Sequence, residues 1–491
     1  MLVDYEYKNK CLIASYIDKV GNIKLKYFPW RNPTKYIACN DDDPERHGKY
    51  TTWDGKAVKE IYTKYPNKYS IYDFIDALPT EEQEELLEYN EPNIFFIDIE
   101  TEILDSKPQP HLAPSKILSI SIVHKNKALV LGIDELTKSE QKSIEVDINN
   151  NYGKLFDRSW EFKYIQYKSE YDMLLNFFKN FVPKMSVMTG WNFVGPKSFD
   201  WVFLVSRARK LGIDPAVSSF TNNLREPNRN DPNDYTEMPA HRIIIDYMTI
   251  FKKWDQSIKV KESIALDFVA EKVLGVKKVN YEGDLKYLYA NDKKKFLYYN
   301  AVDSILVQMI HEKSRLADIL YSIATLSRTT VTSATSTLSI TEGILRKKLR
   351  DQKNVVLVKN EHTSASEDVE KVAGGWVKEP IKGMSSWTCC FDFASLYPTT
   401  MRQFNISADS YKGQKIKGKE AAMFHGHQID LLVDDIITKN GSVFKNEEGV
   451  VTQVMANIYK DRKKYKGMMM KKHIELEELK KELKELENEL Y

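Results

Sequence analysis

The sequence predicts a multidomain α/β protein, and three observations lead to that prediction. A chain of 491 residues is longer than one ordinary domain, and usual domain sizes suggest about three. Between residues 92 and 315, short apolar runs alternate with long amphipathic segments, which is the pattern of strands and helices in an α/β domain. Near the C-terminus, leucines recur at steps of three and four, which is typical of a long helix.

The N-terminal part is predicted to be rich in β-structure. Two runs of β-branched and aromatic residues within 11–28 meet at Gly21-Asn22, a pair that favours the tight turn of a hairpin. Pro92 marks a domain boundary, because the apolar run Ile94–Ile97 after it is typical of a buried strand.

Composition restricts the class of protein further. The formal net charge of +2 gives no overall attraction to nucleic acid, so any such surface must be local. No apolar run is long enough for a signal sequence or a membrane span, and we therefore expect a cytoplasmic protein without a membrane partner. The four cysteines lack the spacing of a zinc site and the density of a disulfide scaffold, so we expect them to be reduced.

Four acidic residues in three separate segments form the strongest candidate site. Asp98 and Glu100 alternate along a predicted strand, so both side chains lie on one face. Asp200 directly precedes an apolar run and is expected in the first turn of a helix. Tyr299 and Asp303 are four residues apart in a helical segment and therefore share a face.

Such carboxylates suit the hydrolysis of a phosphodiester bond. Two divalent cations about 4 Å apart stabilise charge on the attacking and leaving oxygens when several carboxylates hold them. Oxygen ligands favour Mg²⁺, with Mn²⁺ as the alternative. The sequence thus predicts two ions in the site and a hydroxyl that orients the attacking water. The predicted metal ligands are Asp98, Glu100, Asp200 and Asp303, and the predicted hydroxyl belongs to Tyr299.

Each acid taken alone also has an ordinary structural explanation. Asp200 would be a favourable charge at a helix N-terminus, and Asp303 a solvated surface residue. Asp98 and Glu100 would belong to a strand edge that faces water. These explanations hold for isolated acids, and the order of the three segments is what favours a shared site.

That order resembles the three exonuclease motifs of family B DNA polymerases, especially those of T-even-type bacteriophages. The matching segments are Asp98-Ile-Glu100, Trp191-Asn192 with Phe199-Asp200, and Tyr299-x-x-x-Asp303. One difference is that six residues separate Asn192 from Phe199, where the family has about three. The resemblance implies a ribonuclease H-like 3′→5′ exonuclease domain that acts on single-stranded DNA and primer–template ends. Asp246 and Asp267, in similar segments between the motifs, are expected to be structural.

A second resemblance lies farther along the chain, where Ser386–Phe391 is predicted to be a strand that Pro398 ends. The sequence from Asp392 to Pro398 is similar to polymerase motif A. The resemblance implies that Asp392 is a catalytic ligand of two Mg²⁺ ions and that backbone amides near Ser395 and Leu396 hold the triphosphate of a dNTP. It further implies that Tyr397 lies under the deoxyribose.

Arg462 and Lys466 are one helical turn apart and suit phosphate binding. A basic cluster alone is usually a solvated face. Here the segment resembles the first fingers helix of phage polymerases, which implies contacts with the incoming dNTP. The expected domains are an N-terminal domain (1–91, completed by about 330–375), the exonuclease domain (92–329), a partial palm (376–440) and the first fingers helix (441–491).

The 491 residues contain no counterpart of the family's second fingers motif or of the Asp-Thr-Asp of its second palm motif. Two-metal nucleotidyl transfer needs that second acidic strand. We therefore expect polymerisation only together with a second polypeptide that carries the remaining palm, fingers and thumb, and a sliding clamp is a further candidate partner. The alternatives are a stand-alone 3′→5′ exonuclease and a non-catalytic DNA-binding fragment.

Overall fold

The structure of the chain is a computed structural model. It describes residues 1–8, 11–29, 34–53, 55–62, 74–75, 78–104, 109–226, 234–255, 262–355, 377–393, 395–415, 422–424 and 427–490. Two compact units are present, one made of Met1–Asn32 and Asn67–Gly343 and the other of Pro33–Pro66 and Ile344–Tyr491. Residues 356–375, the last part of the segment expected to complete the N-terminal domain (about 330–375), lie outside the described residues.

The strands and helices are numbered here in chain order. The described strands are β1 (Leu2–Lys8), β2 (Cys11–Ile17), β3 (Ile23–Pro29), β4 (Thr34–Ala38), β5 (Arg46–Thr52), β6 (Ala57–Tyr62), β7 (Ile94–Thr101), β8 (Ile117–His124), β9 (Lys127–Gly132), β10 (Glu161–Gln166), β11 (Val187–Gly190), β12 (Leu224–Arg225), β13 (Met238–Pro239), β14 (Ile243–Asp246), β15 (Asn354–Val355), β16 (Tyr411–Lys415), β17 (Ala422–Phe424), β18 (His427–Ile429), β19 (Ile436–Ile437) and β20 (Ser442–Phe444). The described α-helices are α1 (Thr80–Leu87), α2 (Lys138–Ile148), α3 (Glu170–Asn176), α4 (Asp200–Lys210), α5 (Tyr247–Trp254), α6 (Leu266–Leu274), α7 (Leu285–Asn291), α8 (Lys293–Ser314), α9 (Leu316–Ser327), α10 (Thr337–Asp351), α11 (Leu396–Gln403) and α12 (Val450–Leu490).

A six-stranded sheet in the order β10-β9-β8-β7-β11-β14 is the centre of the first unit. The neighbours β7, β8 and β9 pair antiparallel, whereas β11 runs parallel to both β7 and β14. The predicted strand at Ile94–Ile97 is therefore confirmed, and it lies in the interior of the sheet. The mixed α/β architecture is confirmed as well.

Both faces of this sheet are covered, which follows from the alternation of side chains along each strand. On β7, Phe96 belongs to the core that includes apolar residues of α8. Its neighbours Ile97 and Ile99 belong to a second core, which includes apolar residues of α4. The helices α8 and α4 thus belong to the cores on opposite sides of the strand that carries Asp98 and Glu100.

The predicted N-terminal hairpin is confirmed. Strands β2 and β3 pair antiparallel from Cys11 opposite Pro29 to Ile17 opposite Ile23, and β1 adds to β2 as a third strand. Gly21 has φ +85°, the backbone region that glycine adopts without strain.

The second unit contains two smaller sheets. One has the order β15-β5-β6-β4, and the other has the order β18-β17-β16-β20-β19. The start of the long helix α12 is fixed by side chains that accept its first backbone N–H groups. Asp409 accepts from Val450 N at 2.9 Å, and Ser407 Oγ accepts from Val451 N at 3.1 Å. Among the described residues, no helix combines the length and the apolar character that crossing a bilayer requires.

The prediction of a strand at Ser386–Phe391 was wrong. Residues 377–393 contain no strand, and their side chains are exposed, with Phe391 at 92%. A strand is stable only when a neighbour completes its backbone hydrogen bonds, and no described strand pairs with this segment. Pro398 ends no strand either, because it lies in the first turn of α11, where proline is tolerated.

Candidate active site

Asp98 and Glu100 lie on one face of β7, as the alternation predicted. They are directly opposite Ser121 and Ser119 of β8. Because β7 is an interior strand, the explanation of these acids as a water-facing sheet edge does not fit.

The helix α8 brings the third acidic segment to this face. Asp303 is buried, with 6% of its surface exposed, so it is not a solvated surface residue. One carboxylate oxygen each from Asp98, Glu100 and Asp303 lies within 4.8 Å of the other two. Tyr299, one helical turn before Asp303, is also buried. The strand and the helix therefore bring together three acids that are far apart in sequence.

Asp200 begins α4 and is also 6% exposed. The charges of Asp98, Glu100 and Asp303 add to the burial that raises the pKa of its carboxyl group, although Asp200 is not one of the three acids whose oxygens lie within 4.8 Å of one another. The structure thus brings together three of the four acids that the sequence singled out, and the fourth, Asp200, is buried at the start of α4 within reach of their charges. We call Asp98, Glu100, Asp200 and Asp303 the acid cluster.

The longer loop before Asp200 folds back on itself and keeps the acid at the helix start. Phe199 N donates to the Asn192 carbonyl at 3.1 Å, and Trp201 N donates to the Phe193 carbonyl at 2.9 Å. Phe193 N in turn donates to the Asp246 carboxylate at 2.9 Å. Asp246 also caps α5. Its contacts therefore fit the structural role that the sequence predicted.

Lys278 is a residue that sequence reasoning missed. Its ammonium donates to Asp303 Oδ2 at 2.6 Å and to the Tyr299 hydroxyl at 3.0 Å. In the sequence, Lys277 and Lys278 form an ordinary basic pair between two helices, and no periodicity distinguishes the half-buried Lys278 from the exposed Lys277. Only the packing of this segment against α8 reveals the contact.

Asn300, Ser119 and Gly190 were missed as well. Asn300 Nδ2 donates to Asp98 Oδ2 at 2.8 Å, and Ser119 Oγ donates to Asn300 Oδ1 at 3.0 Å. A Cβ added at Gly190 would overlap the backbone oxygen of Ile97, so only glycine allows β11 to approach β7 this closely. The available signal for Asn300 was its place between Tyr299 and Asp303, and this position alone does not distinguish it from a core residue.

The electrostatics of the acid cluster are those of crowded, desolvated carboxylates. Burial, followed by the charge of Asp303, raises the pKa of Asp98 to about 8. Burial also raises the pKa of Glu100 and of Asp200 well above their ordinary values, and the neighbouring acids add to both shifts. The pKa of Asp303 is raised by burial, against the opposing charge of Lys278. One lysine therefore does not neutralise the cluster.

The cluster has the chemistry of a site for a hard divalent cation. Its four carboxyl groups offer only oxygen atoms, which Mg²⁺ and Mn²⁺ prefer. Asp200 Oδ2 and Asp303 Oδ1 are buried and have no hydrogen-bond partner among the described residues. A buried carboxylate oxygen without a donor is costly, and a cation would remove that cost.

The polymerase-like residues have a different setting. Asp392 is exposed and belongs to no group of three or more potential metal ligands within the described part of the chain. Ser395 has φ 54° and precedes α11, and Tyr397 is 80% exposed. Ala394 of this motif lies outside the described residues. Arg462 and Lys466 lie one turn apart on α12, as predicted, and both are exposed.

Two family models match the chain. The model of the exonuclease domain of DNA polymerase family B matches residues 58–269, and the model of DNA polymerase family B matches residues 327–485. The chain belongs to DNA polymerase family B. The resemblance inferred from the motifs is thereby confirmed. The exonuclease-domain match contains Asp98, Glu100 and Asp200, and the polymerase match contains Asp392.

Individual family B relatives are distant and longer. The DNA-directed DNA polymerase of Escherichia phage RB69 is 25% identical over 320 residues, which are 62% of this chain and 34% of the relative. That of Enterobacteria phage T4 is 24% identical over 333 residues, which are 65% of this chain and 35% of the relative. The DNA polymerase of Archaeoglobus fulgidus is 26% identical over 226 residues, which are 46% of this chain and 27% of the relative. The chain thus spans about a third of the length of these phage relatives.

Proposed function

We propose that this family B chain is a metal-dependent 3′→5′ exonuclease that removes nucleotides from single-stranded or frayed DNA ends. The observation that carries the proposal is the convergence of three carboxylates from β7 and α8, which offer oxygens within 4.8 Å of one another. The match to the family's exonuclease domain supports DNA as the substrate. We also propose a ribonuclease H-like fold for this domain, which the antiparallel β7-β8-β9 set flanked by parallel β11 and β14 supports.

In the proposed site, the acid cluster holds two Mg²⁺ or Mn²⁺ ions. Bound ions of this kind stabilise charge on the attacking and leaving oxygens of a phosphodiester and lower the pKa of water. The Tyr299 hydroxyl orients the attacking water. Lys278 fixes the phenol by donating to its oxygen and offsets part of the negative charge of Asp303.

The test is the time course of digestion of a single-stranded oligonucleotide labelled at its 5′ end. We expect a ladder of labelled products that shorten one nucleotide at a time in Mg²⁺, and no products in EDTA. Immediate release of a labelled mononucleotide would mean attack from the 5′ end. Binding of the oligonucleotide without cleavage, in Mg²⁺ and also in Mn²⁺, would instead favour the non-catalytic DNA-binding fragment.

We further propose that the polymerase-domain segment takes part in dNTP addition only with a second polypeptide. Asp392 would be the metal ligand of this site, and the nucleotide would contact Ser395, Leu396, Tyr397, Arg462 and Lys466. The exposure of Asp392 supports the need for additional residues, because metal sites for nucleotidyl transfer require more than one acidic strand. Primer extension by the 491-residue chain alone would refute this proposal. A chain that digests DNA but gains no extension activity from a polypeptide with the missing motifs would be a stand-alone exonuclease.

A further inference from the structure

A buried amide contacts the acid cluster and is not part of the proposed ligand set. Asn300 lies on α8 with 0% of its surface exposed, between Tyr299 and Asp303 in the sequence. Its side chain bonds to two different strands, since Nδ2 donates to Asp98 Oδ2 on β7 and Oδ1 accepts from Ser119 Oγ on β8. A buried side chain with both ends engaged has one orientation.

The chemistry of the neighbours sets that orientation. In the structure the NH₂ end of the amide faces Asp98, and a carboxylate that binds a cation is ionised and can only accept this hydrogen bond. The carbonyl end then faces the Ser119 hydroxyl, which is able to donate. Ser119 pairs directly with Glu100 across β7 and β8, so the three-residue chain from Ser119 to Asn300 to Asp98 lies within the site.

We propose that Asn300 is a positioning residue of the acid cluster. By binding Asp98 Oδ2, it fixes the rotation of the carboxylate and leaves the other oxygen for a divalent cation. Ser119 acts one step farther away by holding the amide in this orientation. The inference rests on the proposed metal-dependent exonuclease function and adds a residue that determines how tightly the cation binds.

The same interface offers a matched control. The hydroxyls of Ser121 and Ser304 form a buried hydrogen bond between β8 and α8, as Ser119 and Asn300 do. Neither of these two side chains bonds to a carboxylate among the described hydrogen bonds. Ser304→Ala therefore removes a buried polar contact between the same strand and helix and leaves the Asp98 contact in place.

The experiment measures Mn²⁺ binding to the full chain by titration calorimetry without DNA, together with the thermal midpoint of each variant. Mutation of a residue that orients a metal ligand typically lowers metal affinity by about 10- to 100-fold. We expect Asn300→Ala to weaken Mn²⁺ binding by about 10-fold or more, Ser119→Ala to weaken it less, and Ser304→Ala to change it by less than about 2-fold.

Equal Mn²⁺ affinity in Asn300→Ala and Ser304→Ala would overturn the proposal, since Asn300 would then be only a packing residue. If Asn300→Ala does not fold, the Mn²⁺ affinities of Ser119→Ala and Ser304→Ala are compared instead. Equal affinities of these two variants would also overturn the proposed role of Asn300. Equal Mn²⁺ affinities of the wild type and of Asp98→Ala would refute the metal site itself. The proposed function would then fail together with this inference.

Discussion

The acids of the exonuclease segment and the acid of the polymerase segment differ in how far the chain has already assembled them. Asp98, Glu100 and Asp303 converge within 4.8 Å on a strand and a helix that belong to one packed core. Asp392 is exposed, in a stretch without secondary structure. Both regions carry recognisable motifs, yet only the first has the geometry of a site.

The physical difference lies in what surrounds each motif. Asp98 belongs to an interior strand that is hydrogen-bonded on both sides, so burial of its apolar neighbours also fixes the carboxylate. The stretch before Asp392 exposes Trp387, Phe391 and Phe393 and has no described partner strand. A motif therefore specifies which residues react, and neighbouring strands and helices decide whether they are in place.

The largest expected effect is on cleavage by the acid cluster. Asp98→Ala combined with Glu100→Ala should lower the rate of 3′ digestion by at least about 10³-fold, because a single group that stabilises transition-state charge is already worth about 10²–10³. Digestion of a 5′-labelled oligonucleotide in Mg²⁺ measures this. The control is a double variant in which two exposed acids of α1 are replaced, Glu81→Ala and Glu84→Ala. It should digest DNA at the wild-type rate. Undiminished digestion by the first variant would show that the cluster is not the nuclease site.

The next effect concerns the stability of the metal-free cluster. Lys278→Met should lower the free energy of unfolding in EDTA by about 3 kcal/mol, because it leaves buried carboxylates without their lysine partner. Urea unfolding measures the loss, and Mg²⁺ should restore part of it. The neighbouring exposed lysine provides the control, since Lys277→Met removes only a surface ion pair with Glu271 and should cost less than about 0.5 kcal/mol. Equal losses in the two variants would mean that the contact between Lys278 and Asp303 contributes no more to stability than a surface ion pair.

A smaller effect should appear as a dependence of stability on pH. The pKa of Asp98 is raised from 3.8 to about 8 in the folded chain, so between these values the folded state binds more protons than the unfolded state. The free energy of unfolding in EDTA should therefore fall as pH rises from about 4 to about 8, by at least about 1.4 kcal/mol, the equivalent of one pKa unit. Urea midpoints over this range test it. Asp98→Asn should flatten the slope, and a stability that rises with pH in the wild type would contradict the raised pKa.

The smallest effect is expected in the polymerase segment. Asp392→Ala should change the free energy of unfolding by less than about 0.5 kcal/mol and leave 3′ digestion unchanged, because the side chain is exposed and lies outside the acid cluster. Urea unfolding and the digestion assay are sufficient to check both points. A large loss of stability would mean that this stretch is packed after all, and the contrast between the two regions would disappear.

Several elements of the first unit were predictable because local rules and tertiary packing agree there. The hairpin at Gly21, the buried strand β7 and the start of α4 at Asp200 all follow the sequence patterns. The strand expected at Ser386–Phe391 followed the same local rules and is absent. Its apolar residues predicted burial, and burial needs a partner surface that local sequence does not specify.

Local sequence patterns were sufficient to single out the four acids, their order and the strand or helix that carries each one. Alternation along a strand and the helical repeat are short-range regularities, and these placed Asp98 beside Glu100 and Tyr299 beside Asp303. The contacts of Lys278 with Asp303 at 2.6 Å and of Asn300 with Asp98 at 2.8 Å became visible only in the folded chain. These contacts join residues 25 and 202 positions apart. Such pairs are set by how α8 packs on the sheet, and no periodicity in the sequence records that packing.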